Sequence, residues 1–226
     1  MNLSPRPSPP LFGGAFFVYA EQKGEDRMNS HDYGLKISTG PAAAVASTAT
    51  AKTWMRISHS DEDTLVDSLI TRATNYVENE TRRQLINATY TFSFDMFPHG
   101  DVIYSPVSPL GSVTSISYLD ANGASQTLST DVYAVDTIRD PGRIYLKSGQ
   151  EWPSIYDQEQ AVTITAVAGY GSASTDVPEP LIQAVLMLAA HYYEHREAVD
   201  PKGNTFAPVP MGVERLILQY RVAEAF

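Results

Sequence analysis

The chain has 226 residues, 16 basic and 26 acidic side chains for a net charge of −10, and no cysteine. That length suits one domain or two small ones with a real core, and a 43% hydrophobic share argues against wholesale disorder. A disulfide scaffold, a thiolate zinc site and a cysteine nucleophile are all excluded.

No window approaches the ~18 consecutive apolar residues of a membrane helix. The start is proline-rich, with a short apolar patch broken by a glycine pair, and no small-x-small cleavage site stands out in it. The expectation is a soluble, intracellular protein. Charge is uneven along the chain: residues 1–60 carry six basic and four acidic side chains, whereas residues 91–170 carry three and nine. No basic stripe exists to grip a phosphate backbone.

Residues 1–47 are rich in Pro, Gly, Ala and Ser without a sustained period, which reads as a flexible arm. Within it, residues 33–37 alternate enough for a short strand. Thr48 to Ile57 reads as a short helix or turn with Trp54 and Met55 facing inward. A stronger helix starts at Ser60, a good N-cap, with Asp61, Glu62 and Asp63 at the positive end of the dipole. Its apolar stripe is Leu65, Val66, Leu69, Ile70, Ala73, Tyr76 and Val77.

From Ala88 the period changes to two, with Tyr90, Phe92, Phe94 and Met96 alternating against polar residues. Val113–Leu119, a turn at Asp120-Ala-Asn-Gly123, a return at 126–128, and strands near 132–135, 143–146 and 161–168 complete a small antiparallel unit of five or six strands. Helical sequence resumes at Pro178, and Pro180 to Val199 is apolar around most of its girth. A Pro/Gly-rich loop, Asp200 to Met211, precedes a last amphipathic helix over 212–225. The expected fold class is α+β. Residues 48–87 and 177–226 form a helical bundle, residues 88–171 an inserted β unit, and residues 1–47 an arm. Trp54, Leu69, Tyr76, Leu186 and Tyr192 are expected core positions.

Few motifs suggest chemistry. His191-Tyr-Tyr-Glu-His195 fits H-x-x-E-H, in which two histidines at i and i+4 bind zinc and Glu194 serves as base. A third protein ligand is needed, and Asp200, Glu214 and Glu224 are the acidic candidates downstream; none lies on an evident ligand helix. The bland reading is a buried helix whose polar end emerges at His195. The cluster Asp61, Glu62, Asp63 and Asp67 could hold a hard cation, but at a helix start it more simply stabilises the dipole. Asp120-Ala-Asn-Gly123 resembles the opening of a calcium loop, yet position twelve is Asp131, so a hairpin is expected. No P-loop, dinucleotide fingerprint or G-x-S-x-G is present.

One resemblance orders these pieces. Lys52-Thr-Trp-Met-Arg-Ile-Ser-His-Ser-Asp-Glu-Asp63, followed by Leu65-Val-Asp-Ser-Leu-Ile70, looks like the opening of phage head–tail connector (adaptor, head-completion) proteins. Gln150-Glu-Trp-Pro153, residues 161–171, Val177-Pro-Glu-Pro-Leu-Ile182 and residues 189–197 are similar to later motifs, in the right order. The first 32 residues depart from the pattern, and Met28 is an alternative start. Members are ring-forming structural subunits of tailed phages and gene transfer agents, made in the host cytoplasm and housed in the virion.

The resemblance implies a ring, typically dodecameric, beneath the portal protein. It extends the DNA channel, receives a stopper or tail, and binds no cofactor. DNA would pass through the lumen without specific binding. The C-terminal segment, through Leu216, Tyr220, Arg221, Val222 and Phe226, would engage the portal. The rival readings are a zinc hydrolase built on His191, Glu194 and His195, and an oligomeric binding module outside any virion.

Overall fold

A computed structural model describes residues 33–195 and 209–222, and they form two cores joined by short crossing connections. In the helical part, α1 (Thr48–Met55) is capped by Ser47, whose side chain accepts from the Thr50 amide. It is followed by α2 (Asp63–Thr81), α3 (Glu179–Glu194) and α4 (Met211–Leu218). The 3.6-residue stripe of α2, Val66, Leu69, Ile70, Ala73 and Val77, is buried against Leu181, Val185, Leu188 and Ala189 of α3 and Val213 and Ile217 of α4.

The alternating segment at 88–94 is β2 (Ala88–Phe94), with Ala88, Tyr90, Phe92 and Phe94 buried and the residues between them half-buried. It lies second in a five-stranded antiparallel sheet of order β1-β2-β8-β4-β5. Its partners are β1 (Tyr33–Thr39), β8 (Val162–Ala168), β4 (Leu110–Leu119) and β5 (Ser125–Thr127). A second sheet of order β3-β7-β6 comprises β3 (Val102–Tyr104), β7 (Arg143–Leu146) and β6 (Tyr133–Asp136). Ile103, Ile144 and Tyr133 of the small sheet share one core with Phe92, Ile116 and Ile164 of the large one. Phe97 stacks on Trp152 at 4.8 Å along its margin.

The expected α+β class with a β unit between helical segments is the observed one. Several local expectations need correction. Trp54 is not a core residue: it is 47% exposed. The strip that α1 turns inward runs through Thr48, Ala51, Lys52 and Met55, and Trp54 falls on its rim. Of the other expected core positions, Leu69 and Leu186 are buried, while Tyr76 and Tyr192 are half-buried against the helical core.

Ser60 is not the N-cap of α2. The helix starts at Asp63 with Glu62 in the cap position and no side-chain cap bond; Ser60 instead offers its carbonyl to the Asp63 amide. Met96 lies past the end of β2 and is exposed. The 212–225 helix is shorter, ending at Leu218. Val45 and Ala46, read as part of an arm, are buried in the helical core. Strand β3 has no counterpart in the sequence reading, because three residues carry too little period to register. Residues 1–32, the helix extension beyond His195, and Phe226 lie outside the described residues.

Gly169 is where β8 leaves the sheet for the helices. Its φ of +140° is open to glycine, and a Cβ there would stand 2.6 Å from the backbone of Asn87.

Candidate functional site

Several polar contacts converge on the C-terminal end of α2, where the last turn of a helix leaves carbonyls without intrahelical donors. Three parts of the chain converge there. From the C-terminal side, the Val222 amide donates to the Thr81 carbonyl at 3.0 Å and Arg221 Nε donates to the Glu80 carbonyl at 2.9 Å. The Arg221 guanidinium also pairs with the Glu80 carboxylate. From within α2's own exit, Arg83 Nε donates to the Tyr220 carbonyl at 2.5 Å, and the same guanidinium pairs with Asp140 of the β6–β7 loop. One arginine therefore ties the helical core, the C-terminal strap and the β unit together.

A second network lies beside it. Glu78 of α2 accepts from the Leu85 amide at 2.9 Å and from Gln84 Nε2 at 2.8 Å, and Gln84 Oε1 in turn accepts from the Tyr90 hydroxyl of β2. Burial pushes the Glu78 carboxyl up to about 7, against the Leu85 amide, which favours the charged form. Burial, with the Glu78 charge second, pushes the Tyr90 hydroxyl up to about 12. Helix α2 and strand β2 thus meet through a polar relay whose members satisfy one another.

The residues expected to dock outward are distributed between these contacts and the core. Leu216 and Tyr220 pack against the helical core, next to the buried Val213 and Ile217. Arg221 and Val222 hold the α2 terminus as described above. The inner edge of the stripe thus closes the subunit's own bundle. The outer face of α4 is mixed: Met211 is 74% and Leu218 65% exposed, beside exposed Glu214 and Arg215. The clasp was invisible to periodicity, because Arg83, Arg221 and Asp140 are far apart in sequence and each is an ordinary surface residue locally.

The other chemical candidates resolve into separate partnerships. His191 and His195 contact each other edge to face with ring centroids 4.7 Å apart, and Arg72 lies over the ring of Tyr192 between them in sequence. Among the described residues, no three His, Asp or Glu side chains gather as a metal-binding group. The acidic cluster is dispersed: Asp63 pairs with Lys52 at 2.6 Å, Asp67 accepts from Thr48 Oγ1 at 2.5 Å, and Glu62 accepts from the Tyr193 hydroxyl. Asp120 closes a hairpin, accepting from the amides of Asn122 and Ala124 and from Gln126 Nε2. The Gln126 bond foremost, with the two amides, holds its carboxyl below the usual range. Among the described residues, no helix is long and apolar enough to cross a membrane.

A sequence model of the head completion protein family matches residues 44–221. The chain belongs to the head completion protein family. The connector resemblance of residues 52–70 and the later motifs is therefore the correct one, and β1 lies N-terminal to the matched stretch.

Solved structures agree with the family. A chain in the neck of an empty gene transfer agent particle, computed with C6 symmetry, is 26% identical at a TM-score of 0.72, covering 85% of this chain and 97% of that one. A chain in the neck of the native particle, computed with C12 symmetry, is 27% identical at a TM-score of 0.63, covering 84% and 98%. A chain of the native gene transfer agent virion shares the fold at 24% identity and a TM-score of 0.71, over 85% and 97%. No curated protein matches by sequence.

Proposed function

We propose that this protein is a structural subunit of a virion neck. It forms a ring at the head–tail interface, beneath the portal, extends the DNA channel and receives the stopper or tail, acting by assembly and not by chemistry. The observation that carries this reading is the match to a gene transfer agent neck chain over 97% of that chain at 26% identity, together with the family match over residues 44–221. Its net charge of −10 suits a wall along which DNA slides, since like charges oppose sticking.

The C-terminal element serves as the portal-facing part. Leu216, Tyr220, Arg221 and Val222 hold it to the subunit, which leaves Met211, Leu218 and the residues after Val222, Phe226 included, to meet a partner. A chain truncated after Val222 keeps the clasp on α2, so it separates docking from folding.

Deleting the gene should leave DNA-filled heads and free tails that join when purified protein is added back. Chain truncated after Val222, or carrying Met211→Asp with Leu218→Asp, should fold but fail to restore joining. Infectious particles assembled without the protein would refute the adaptor reading. Full rescue by both altered chains would move the docking surface elsewhere.

A further inference from the structure

Strand β1 carries the inner face of the large sheet past its own cover. In the β1–β2 register Tyr33, Leu35 and Ile37 stand opposite Phe94, Phe92 and Tyr90, and directly opposed residues share a face. The three β2 residues are buried, yet Leu35 and Ile37 remain 46% and 52% exposed. β1 also ends the strand order, so among the described residues no strand adds to its outer edge. An apolar, unpaired edge of this kind is a template for another chain. Its one charged side chain, the cation Lys36, stands opposite Thr91 and so lies on the other face of the strand from Leu35 and Ile37.

The opposite end of the same sheet has the complementary character. There β5 is exposed throughout, and the 150–160 loop lies against the β4–β5 turn, with the Tyr156 amide donating to the Leu119 carbonyl at 3.0 Å. Tyr156, Asp157 and Glu159 are exposed on that loop, an aromatic and acidic patch. Four strand spacings of ~4.8 Å put the two ends about 19 Å apart. Two different, complementary patches on opposite edges of one sheet make a head-to-tail contact, the kind that generates rings. A two-fold β1–β1 pairing would instead bring Lys36 against Lys36 and stop at a dimer.

We propose that β1 of one copy docks on the Tyr156–Glu159 end of the sheet in the next copy, and that this contact builds the ring. The inference rests on the ring-forming reading above and supplies its interface.

Two full-length variants test it. Leu35→Glu with Ile37→Glu disables the first patch, and Tyr156→Ala with Asp157→Lys and Glu159→Lys disables the second. By analytical ultracentrifugation, alone and with portal-bearing heads, each variant should remain a 24.8 kDa monomer where the parent assembles. Mixed one to one, they should form a dimer and nothing larger, because one intact contact survives. Rings from either variant alone, or a mixture that stays monomeric, would overturn the interface. A parent chain that never assembles, even on heads, would overturn the ring reading itself.

Because the chain has no cysteine, Ile37→Cys offers a second readout that does not depend on disruptive substitutions. Its maleimide labelling should slow by about tenfold or more on assembly, through lost access. An unchanged rate in the assembled ring would place β1 outside the contact.

Discussion

Glu78→Gln should stabilise the protein at neutral and alkaline pH while leaving it unchanged in acid. The carboxyl is raised from 4.5 to about 7 in the folded chain. Between those values the folded state binds more protons than the unfolded state, so stability falls as pH rises through the window and levels off above about 7. Below about 4.5 both states are protonated and the group contributes nothing. A displacement of that size corresponds to about 3 kcal/mol at 1.36 kcal/mol per pKa unit. Solvent reaching this half-buried side chain trims the figure to about 1–3 kcal/mol.

The replacement amide keeps an acceptor oxygen for the Leu85 amide and Gln84 Nε2, so the geometry that positions Tyr90 survives. Urea unfolding at pH 4.5, 6, 7 and 8, followed by circular dichroism and tryptophan fluorescence together, measures the difference between parent and variant. Agreement of the two probes establishes that the transition is cooperative. The expected result is a gap near zero at pH 4.5 that opens to about 1–3 kcal/mol by pH 8, or about 2–10 °C in Tm. A gap that is flat across this range would refute the burial argument, and a variant weaker at pH 8 would mean that the charge itself holds the relay.

Truncation after Tyr220 removes the Arg221 and Val222 bonds to the α2 terminus and should cost about 1–2 kcal/mol. Truncation after Val222 should cost almost nothing, as thermal unfolding of the two chains would show. Gly169→Ala places a Cβ against the Asn87 backbone at a φ of +140°, which should cost about 2–4 kcal/mol or abolish soluble expression. A Tm within a degree of the parent would contradict that geometry. His191→Gln with His195→Gln should leave the metal content of purified protein unchanged by mass spectrometry. One zinc per parent chain, lost in the variant, would revive the hydrolase reading.

Period and punctuation carried much of the architecture. The 3.6-residue stripe of α2, the two-residue alternation of β2 and the turn at Asp120–Gly123 are local patterns, set by which side chains share a face over one or two turns of chain. They sufficed for the α+β class with its β unit between helical segments, and the ordered motifs from Lys52 to Glu197 sufficed for the family.

What depended on distance in sequence was decided by tertiary structure alone. Trp54 reads as core by hydrophobicity, and only the packing of α1 on Ala51 and Met55 turns it to the rim. Glu78 reads as one more surface carboxylate on α2 until the chain returns through Gln84 and Tyr90 to bury it. Arg83, Asp140, Tyr220 and Arg221 have no mutual signal in the sequence, because a clasp between segments 57 to 141 residues apart is made by the fold that brings them together. The same holds for β1. Residues 33–37 alternate enough to announce a strand, but that Leu35 and Ile37 continue a buried face into solvent follows from their register against β2. A side chain's neighbours along the chain are written in the sequence; its neighbours across the sheet exist only after the sheet has formed.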